Sequence, residues 1–335
     1  MAYTTIDDPE LYFQAVEYSG NNTSQSITLD GSEDMQPDMV WIKERNGTEQ
    51  HTLWDSVRGV NKRLMPDATS AEYEASDQLT AFNSDGFSVG SSDQLNDSGN
   101  TQVAWCWKES ATAGFDIVSY TGDGSNRTIS HSLSAVPHLM IFKNRENTAT
   151  AYDWAVYHQN LDSSAPEDKN LRLNTAEAVN DKAEFLNDTA PTSSVFSAGT
   201  WGSINDNNDD YIAYLWTAKQ GYSKFGGYTG NGNADGPFVY LGFRPAWLMI
   251  KNITSGSTYW TICDNKRDGF NDNNHRLFPN VSDAESTSNP WEMYSNGFKI
   301  TTTGSYVNTN GDSYIYASFA EQPFVNSNGV PATAR

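Results

Sequence analysis

Three stretches of this chain share one pattern of apolar and polar positions: Pro37-Asp-Met-Val-Trp-Ile-Lys43, Pro137-His-Leu-Met-Ile-Phe-Lys143 and Pro245-Ala-Trp-Leu-Met-Ile-Lys251. Each runs from a proline through an apolar run to a lysine, which predicts a buried strand with a fixed start and a solvated end. Other landmarks recur around it in a constant order. Tyr18-Ser-Gly20, Tyr120-Thr-Gly122 and Tyr228-Thr-Gly230 precede the strand, each a strand end turning on glycine. A tryptophan opening another apolar strand follows it, at Trp54, Trp154 and Trp260. Arg63-Leu-Met-Pro-Asp67 matches Arg276-Leu-Phe-Pro-Asn280, with Leu171-Arg-Leu-Asn174 in the middle copy. Asp85-Gly86 and Asn296-Gly297 are tight-turn pairs, because both residue types tolerate positive φ. Each copy closes on an alternating aromatic strand: Val103-Ala-Trp-Cys-Trp107, Tyr211-Ile-Ala-Tyr-Leu-Trp216 and Tyr314-Ile-Tyr-Ala-Ser-Phe319.

Short strands, frequent turn signals and no long amphipathic helix predict an all-β fold of three tandem antiparallel β-sandwich, jelly-roll-like modules of about 105 residues. The boundaries read as a docking segment over residues 1–14, modules over 15–110, 111–220 and 221–324, and a tail over 325–335 that docks or stays flexible. Short helices are expected at Glu72 to Leu79 and Ala176 to Leu186. Joints as short as Lys108 to Gly114 and Thr217 to Gly221 predict a stiff string of beads.

Composition narrows the function. Lysine plus arginine number 21 against 42 acidic residues, a net charge of −21, and no basic stretch offers a footprint for nucleic acid or anionic lipid. No apolar run is long enough for a membrane span, and the first residues lack the basic and apolar regions of a signal peptide. Synthesis in a cytoplasm without general secretion is the expectation. Cys106 and Cys263 occupy non-equivalent places and are expected free and buried. A surface rich in Asn, Ser, Thr, Gly, Tyr and Trp suits an extracellular setting, and release of a virion by lysis reconciles the two.

The segments Thr4-Thr-Ile-Asp-Asp-Pro-Glu-Leu-Tyr-Phe-Gln14, Pro37 to Lys43, Trp54-Asp-Ser-Val-Arg-Gly59, Asp85-Gly-Phe-Ser-Val-Gly90 and Trp105-Cys-Trp-Lys108 carry a resemblance. Together they resemble a repeat-domain family of marine bacteriophage virion structural proteins, of tail-fibre, appendage or capsid-knob type. The likeness is strong over residues 1–110, recognisable over 114–220 and 221–324, and absent from the C-terminus. It implies a non-enzymatic component of the particle surface, partnered by other virion proteins of the same phage and by further copies of itself, a trimer for a fibre, and aiding host attachment. It brings no catalytic residues. The docking segment, led by Tyr3, Ile6, Tyr12 and Phe13, would seat the protein on the particle.

Candidate chemistry is sparse. Asp55 and Arg58 read as a surface or loop-anchoring ion pair rather than a receptor-contacting pair or a carboxylate held for acid–base work, and Ala155-Val-Tyr-His158 and Thr261-Ile-Cys-Asp264 stand in their place in the other copies. The acidic turns holding Asp206, Asp209, Asp210, Asp268 and Asp272 supply calcium-type oxygen ligands without EF-hand spacing. The histidines show no zinc spacing, and no phosphate loop or nucleophile motif occurs. Flat aromatics are sugar platforms. Trp41, Trp105, Trp107, Trp154 and Trp216 fall on repeated strands and are expected in cores, whereas Trp201 and Trp291 sit in loop-like contexts and are the candidates for a host surface glycan. A lectin-like adhesin and a polysaccharide-degrading tailspike, which would need two carboxylates in one cleft, are the rival readings.

Overall fold

The computed structural model describes residues 3–146, 151–267, 271, 274–288 and 290–332. One strand order occurs three times. Phe13–Ser19, Thr101–Trp107, Met39–Glu44 and Thr52–Asp55 lie side by side in that order in the first unit. Phe115–Thr121, Asp210–Trp216, Leu139–Asn144 and Ala155–His158 do so in the second, where Lys169–Arg172 and Asn180–Asp181 extend the sheet. Ser223–Thr229, Ser313–Pro323, Phe243–Asn252 and Thr261–Asp264 repeat it in the third. A smaller outer sheet covers each: Gln25–Thr28 with Gly86–Val89 and Leu79–Asn83; Arg127–Ser130 with Val195–Ala198; and Phe238–Tyr240 with Gly297–Ile300 and Trp291–Tyr294. The ladders are antiparallel, and the fold is all-β and sandwich-like as expected.

The proline-to-lysine runs are unbroken in apolar character because both faces of these strands are buried. Met39 and Trp41 join a core shared by all three units, while Val40 and Ile42 face the first unit's own outer sheet. Leu139 and Ile141 alternate with Met140 and Phe142 in the same way, and Trp247 and Met249 with Leu248 and Ile250. Trp41, Trp105, Trp107, Trp154 and Trp216 all lie in the shared core. Trp107 meets Trp247 edge-on at 5.6 Å and Trp216 at 6.5 Å. The void left there, about 10 Å³ between Trp41, Ile141 and Met249, has no room for a ligand.

This shared core corrects the string of beads. The inner face of each sheet is apolar, and burying it against the other two removes that surface from water at roughly 25 cal/mol per Å². Short joints therefore fold the units back on one another. Loops pass between them cyclically: the Glu72 amide donates to the Arg145 carbonyl, Val179 to Ile253, and Glu285 to Arg45.

Other expectations change with it. Lys43, Lys143 and Lys251, read as solvated strand ends, are all fully buried. Lys143 Nζ donates to the carbonyls of Thr69, from the preceding unit, and Tyr152 at 2.9 and 2.7 Å. Lys251 reaches Ala176, Asn252 and Thr258, and Lys43 reaches Glu44 and Gly47. Desolvation pulls the Lys143 ammonium down to about 7 and the other two to about 8. Pro245 does not open its strand; it sits at a register shift inside Phe243–Asn252, where a missing N–H is tolerated. No helix forms at 72–79 or 176–186. Instead a single helical turn precedes each closing strand, at Asp93–Asn96, Gly202–Asn205 and Ser305–Asn308. The Tyr-x-Gly landmark holds that turn: Tyr18, Tyr120 and Tyr228 donate to the carbonyls of Leu95, Ile204 and Val307. A Cβ on Gly20 would stand 2.1 Å from the Asp97 carbonyl oxygen.

The four residues expected to dock are engaged within the chain. Ile6 and Phe13 are in the shared core and Tyr12 packs against it, edge-on to Tyr222. Tyr3 donates to the Gly242 carbonyl and meets the Tyr240 hydroxyl. The tail folds back as well: Phe324 N donates to Gly242, Ala332 N to Phe324, and Ser327 binds Asp7. Leu11, in the same segment, stays exposed, and Tyr3 and Tyr12 are half-buried.

Candidate functional site

Strand pairing changes the equivalence of the copies. Met39, Leu139 and Trp247 pair with Asp55, His158 and Asp264 respectively. His51, not Trp54, therefore stands where Trp154 and Trp260 stand, and Asp55–Arg58 has a true counterpart in Asp264–Arg267. Neither is a surface pair. Arg58 Nε lies 2.6 Å and Arg267 Nε 2.7 Å from the partner carboxylate, with all four side chains fully buried. Each carboxylate also accepts from the neighbouring unit, Asp55 from Tyr214 Oη at 2.6 Å and Asp264 from Trp105 Nε1 at 2.9 Å. Glu72 and Glu285 continue the chain of charges to Arg145 and Arg45. The Arg267 guanidinium and these hydrogen bonds hold the Asp264 carboxyl below its usual range against desolvation. At the third interface the same positions are apolar or neutral: Val179 against Ile253 in the shared core, and His158 Nε2 bonded to the Tyr316 carbonyl. Burial drives the His158 imidazole down to about 3, so it is neutral. These groups tie the units together; they are closed off from any substrate.

The remaining candidates are dispersed. Asp206 binds Tyr152 Oη and the Asn207 amide, Asp209 accepts from Asn144 Nδ2 at 2.8 Å, and Asp210 from Thr121 Oγ1 at 2.8 Å. Asp268 and Asp272 lie outside the described residues. Among the described residues no three His, Cys, Asp or Glu side chains converge as a metal site. Trp291 belongs to the third unit's core and is fully buried, in a strand rather than a loop. Trp201 packs edge-on against Phe185, with the Lys182 ammonium over its ring at 5.1 Å. Burial corrects the reading of Trp291 as an open sugar platform; Trp201 is half-buried. Cys106 and Cys263 are both buried, and neither is in a disulfide.

The third unit has an open cleft of ≈ 460 Å³. Tyr259, Phe278 and Tyr306 give it aromatic walls, Arg276 part of its floor, and Asp283 its carboxylate. The Arg276 guanidinium lies 4.2 Å from the Tyr306 ring centre and 5.2 Å from that of Phe278. Behind the wall, Lys251 holds the Thr258 carbonyl. The side-chain hydroxyls of Thr258 and Thr261 and Nε of Arg276 are buried without hydrogen-bond partners among the described residues. In the first unit, Gln50, Met65 and Gln94 occupy the positions of Tyr259, Phe278 and Tyr306, and the equivalent Arg63 donates to Gln78 and Gln94. Gln94 in turn donates to the Gln50 carbonyl. Amides that close that place are replaced in the third unit by rings that line an opening. Sequence reading missed it because the signal lies in how the copies differ, at Gln94 against Tyr306.

The chain belongs to the family described as "Domain of unknown function (DUF7483)", which matches residues 8–323 and so runs through all three units. Comparison with curated proteins finds no match.

Proposed function

We propose that this chain is a non-enzymatic surface protein of a bacteriophage particle that binds saccharide through the cleft of its third unit and so aids attachment to the host. The cleft carries the reading. Rings beside hydroxyl and guanidinium groups supply a stacking face and polar edges together, and its volume lies within the usual range for small-molecule sites, about 300–1,000 Å³. Among the described residues a single carboxylate, Asp283, lines it, whereas glycoside hydrolysis ordinarily takes a pair; this favours binding over cleavage. The particle assignment rests on the resemblance of residues 1–110 to marine phage structural proteins. A body closed around one shared core suits display, and an acidic surface disfavours adhesion to nucleic acid.

Titration of purified protein with host surface polysaccharide is expected to quench tyrosine and tryptophan emission, and Tyr306→Ala to weaken that binding at least tenfold. Antibody against the protein is expected to label intact particles, and free protein to slow their adsorption. Particles that lack the protein, or adsorption indifferent to it, would overturn the display role.

A further inference from the structure

We infer that the third unit's cleft selects an acidic saccharide, one whose ring carries a carboxylate or a sulfate, with Arg276 as the anion-binding group. The inference rests on the saccharide-binding reading and adds the ligand's charge to it.

Arginine in this protein almost always has a carboxylate. Arg45 pairs with Glu17 and Glu285, Arg58 with Asp55 and Glu72, Arg127 with Asp123, Arg145 with Glu72, Arg172 with Asp153 and Glu177, Arg244 with Glu321, and Arg267 with Asp264 and Glu285. With 42 acidic residues against 21 basic ones, an arginine without one is conspicuous. Among the described residues Arg63 and Arg276 make no such pair, and they occupy the same position in two units. Arg63 has other acceptors, the amide oxygens of Gln78 and Gln94. Among the described residues Arg276 has one long contact of 3.4 Å, from Nη2 to Ser286 Oγ, and its Nε, like that of Arg63, is without an acceptor there. Asp283 lines the same cleft and stays beyond ion-pair distance. The guanidinium thus lies close to two rings, half-buried, with donor capacity left over, in the lining of the cleft.

A planar fork of N–H donors matches a carboxylate or sulfate in geometry and charge. The surrounding net negative charge weakens capture of a free anion, which then binds only at high concentration; an anion carried on something the rings can stack against binds tighter. A sugar ring bearing the acid satisfies both conditions. Tyr259, Tyr306 and Phe278 take its apolar face, Asp283 accepts from its hydroxyls, and Arg276 takes the anion.

Calorimetric titration tests this with three probes of matched length: oligogalacturonate, a sulfated oligosaccharide and neutral maltooligosaccharide. One or both acidic probes are expected to bind at least tenfold tighter than the neutral one, to weaken as salt rises, and to be displaced by inorganic sulfate. Comparing the two acidic probes identifies the acid. Arg276→Gln is expected to abolish the preference while leaving the melting temperature nearly unchanged, and Arg276→Lys to restore part of it. Equal affinity for acidic and neutral probes would overturn the inference and leave saccharide binding standing. Acid preference that survives Arg276→Gln would place the anion elsewhere and also overturn it. Failure of every saccharide to bind, host polysaccharide included, would remove the function itself. If Arg276→Gln does not fold, sulfate competition on the unmodified protein decides: no displacement of the acidic probes rejects the inference.

Discussion

Asp55 and Arg58 are fully buried together, so each supplies the counter-charge that the other cannot obtain from water. Removing Asp55 leaves a guanidinium in a dry interface with Glu72 as its remaining carboxylate. Asp55→Ala and Asp264→Ala are each expected to cost about 3–5 kcal/mol in urea denaturation. The third interface shows the apolar solution to the same position, so joint replacement of Glu72→Val with Arg145→Ile should cost less than Glu72→Val alone. The buried lysines are a second residue-scale case, and their sign is opposite to that of a salt bridge. Lys143 titrates near 7 in the fold against about 10.4 when unfolded. Between those values the unfolded chain holds a proton the folded chain has released, so stability rises with pH; below about 7 both forms are charged and the burial penalty is complete. Asp153 is the charge that offsets it in part. Compared with Lys143→Met, the native protein should gain stability from pH 7 to 10, by at most about 1.4 kcal/mol per pH unit. Parallel denaturation curves for the two proteins across that range would contradict it.

At the scale of elements, strand identity was legible because period-two alternation and Gly-containing turns act locally. Met39–Glu44 and its two counterparts needed no tertiary knowledge to be placed. Lys143 and Lys251 were misread because carbonyls that receive them, Thr69 and Ala176, come from another unit's loop, whereas Lys43 is received by Glu44 and Gly47 of its own unit. Matching Trp54 to Trp154 failed for a related reason: loops differ in length between copies, and only the ladder from Leu53 to Trp41 reveals that His51 is the counterpart. The cleft was illegible because Tyr259, Phe278 and Tyr306 converge from separate segments. Trp291 gives the cleanest separation of fold from function within one unit. Its ring is buried against Phe298, so Trp291→Ala should cost about 3–5 kcal/mol. The folded fraction should still bind saccharide, whereas Tyr306→Ala should do the reverse. Loss of binding by correctly folded Trp291→Ala protein would tie that ring to the site after all.

The whole molecule is a closed arrangement in which each inner sheet depends on the other two. Trp107 alone touches rings of the second and third units, Trp216 and Trp247, so no unit keeps its inner face covered when a neighbour leaves. The interfaces are also continuous with the polar networks, from Asp55 to Tyr214 and from Asp264 to Trp105. Stability should therefore be shared rather than summed unit by unit. Scanning calorimetry of the full chain is expected to give one transition whose van't Hoff and calorimetric enthalpies agree. An excised second unit, residues 111–220, would expose Leu139, Ile141, Tyr214 and Trp216, which lie in the shared core. It is expected to aggregate or to unfold well below the temperature of the full chain. Three resolved transitions, or a stable monomeric fragment that melts with the parent, would mean that the shared core contributes little and that the units are independent beads.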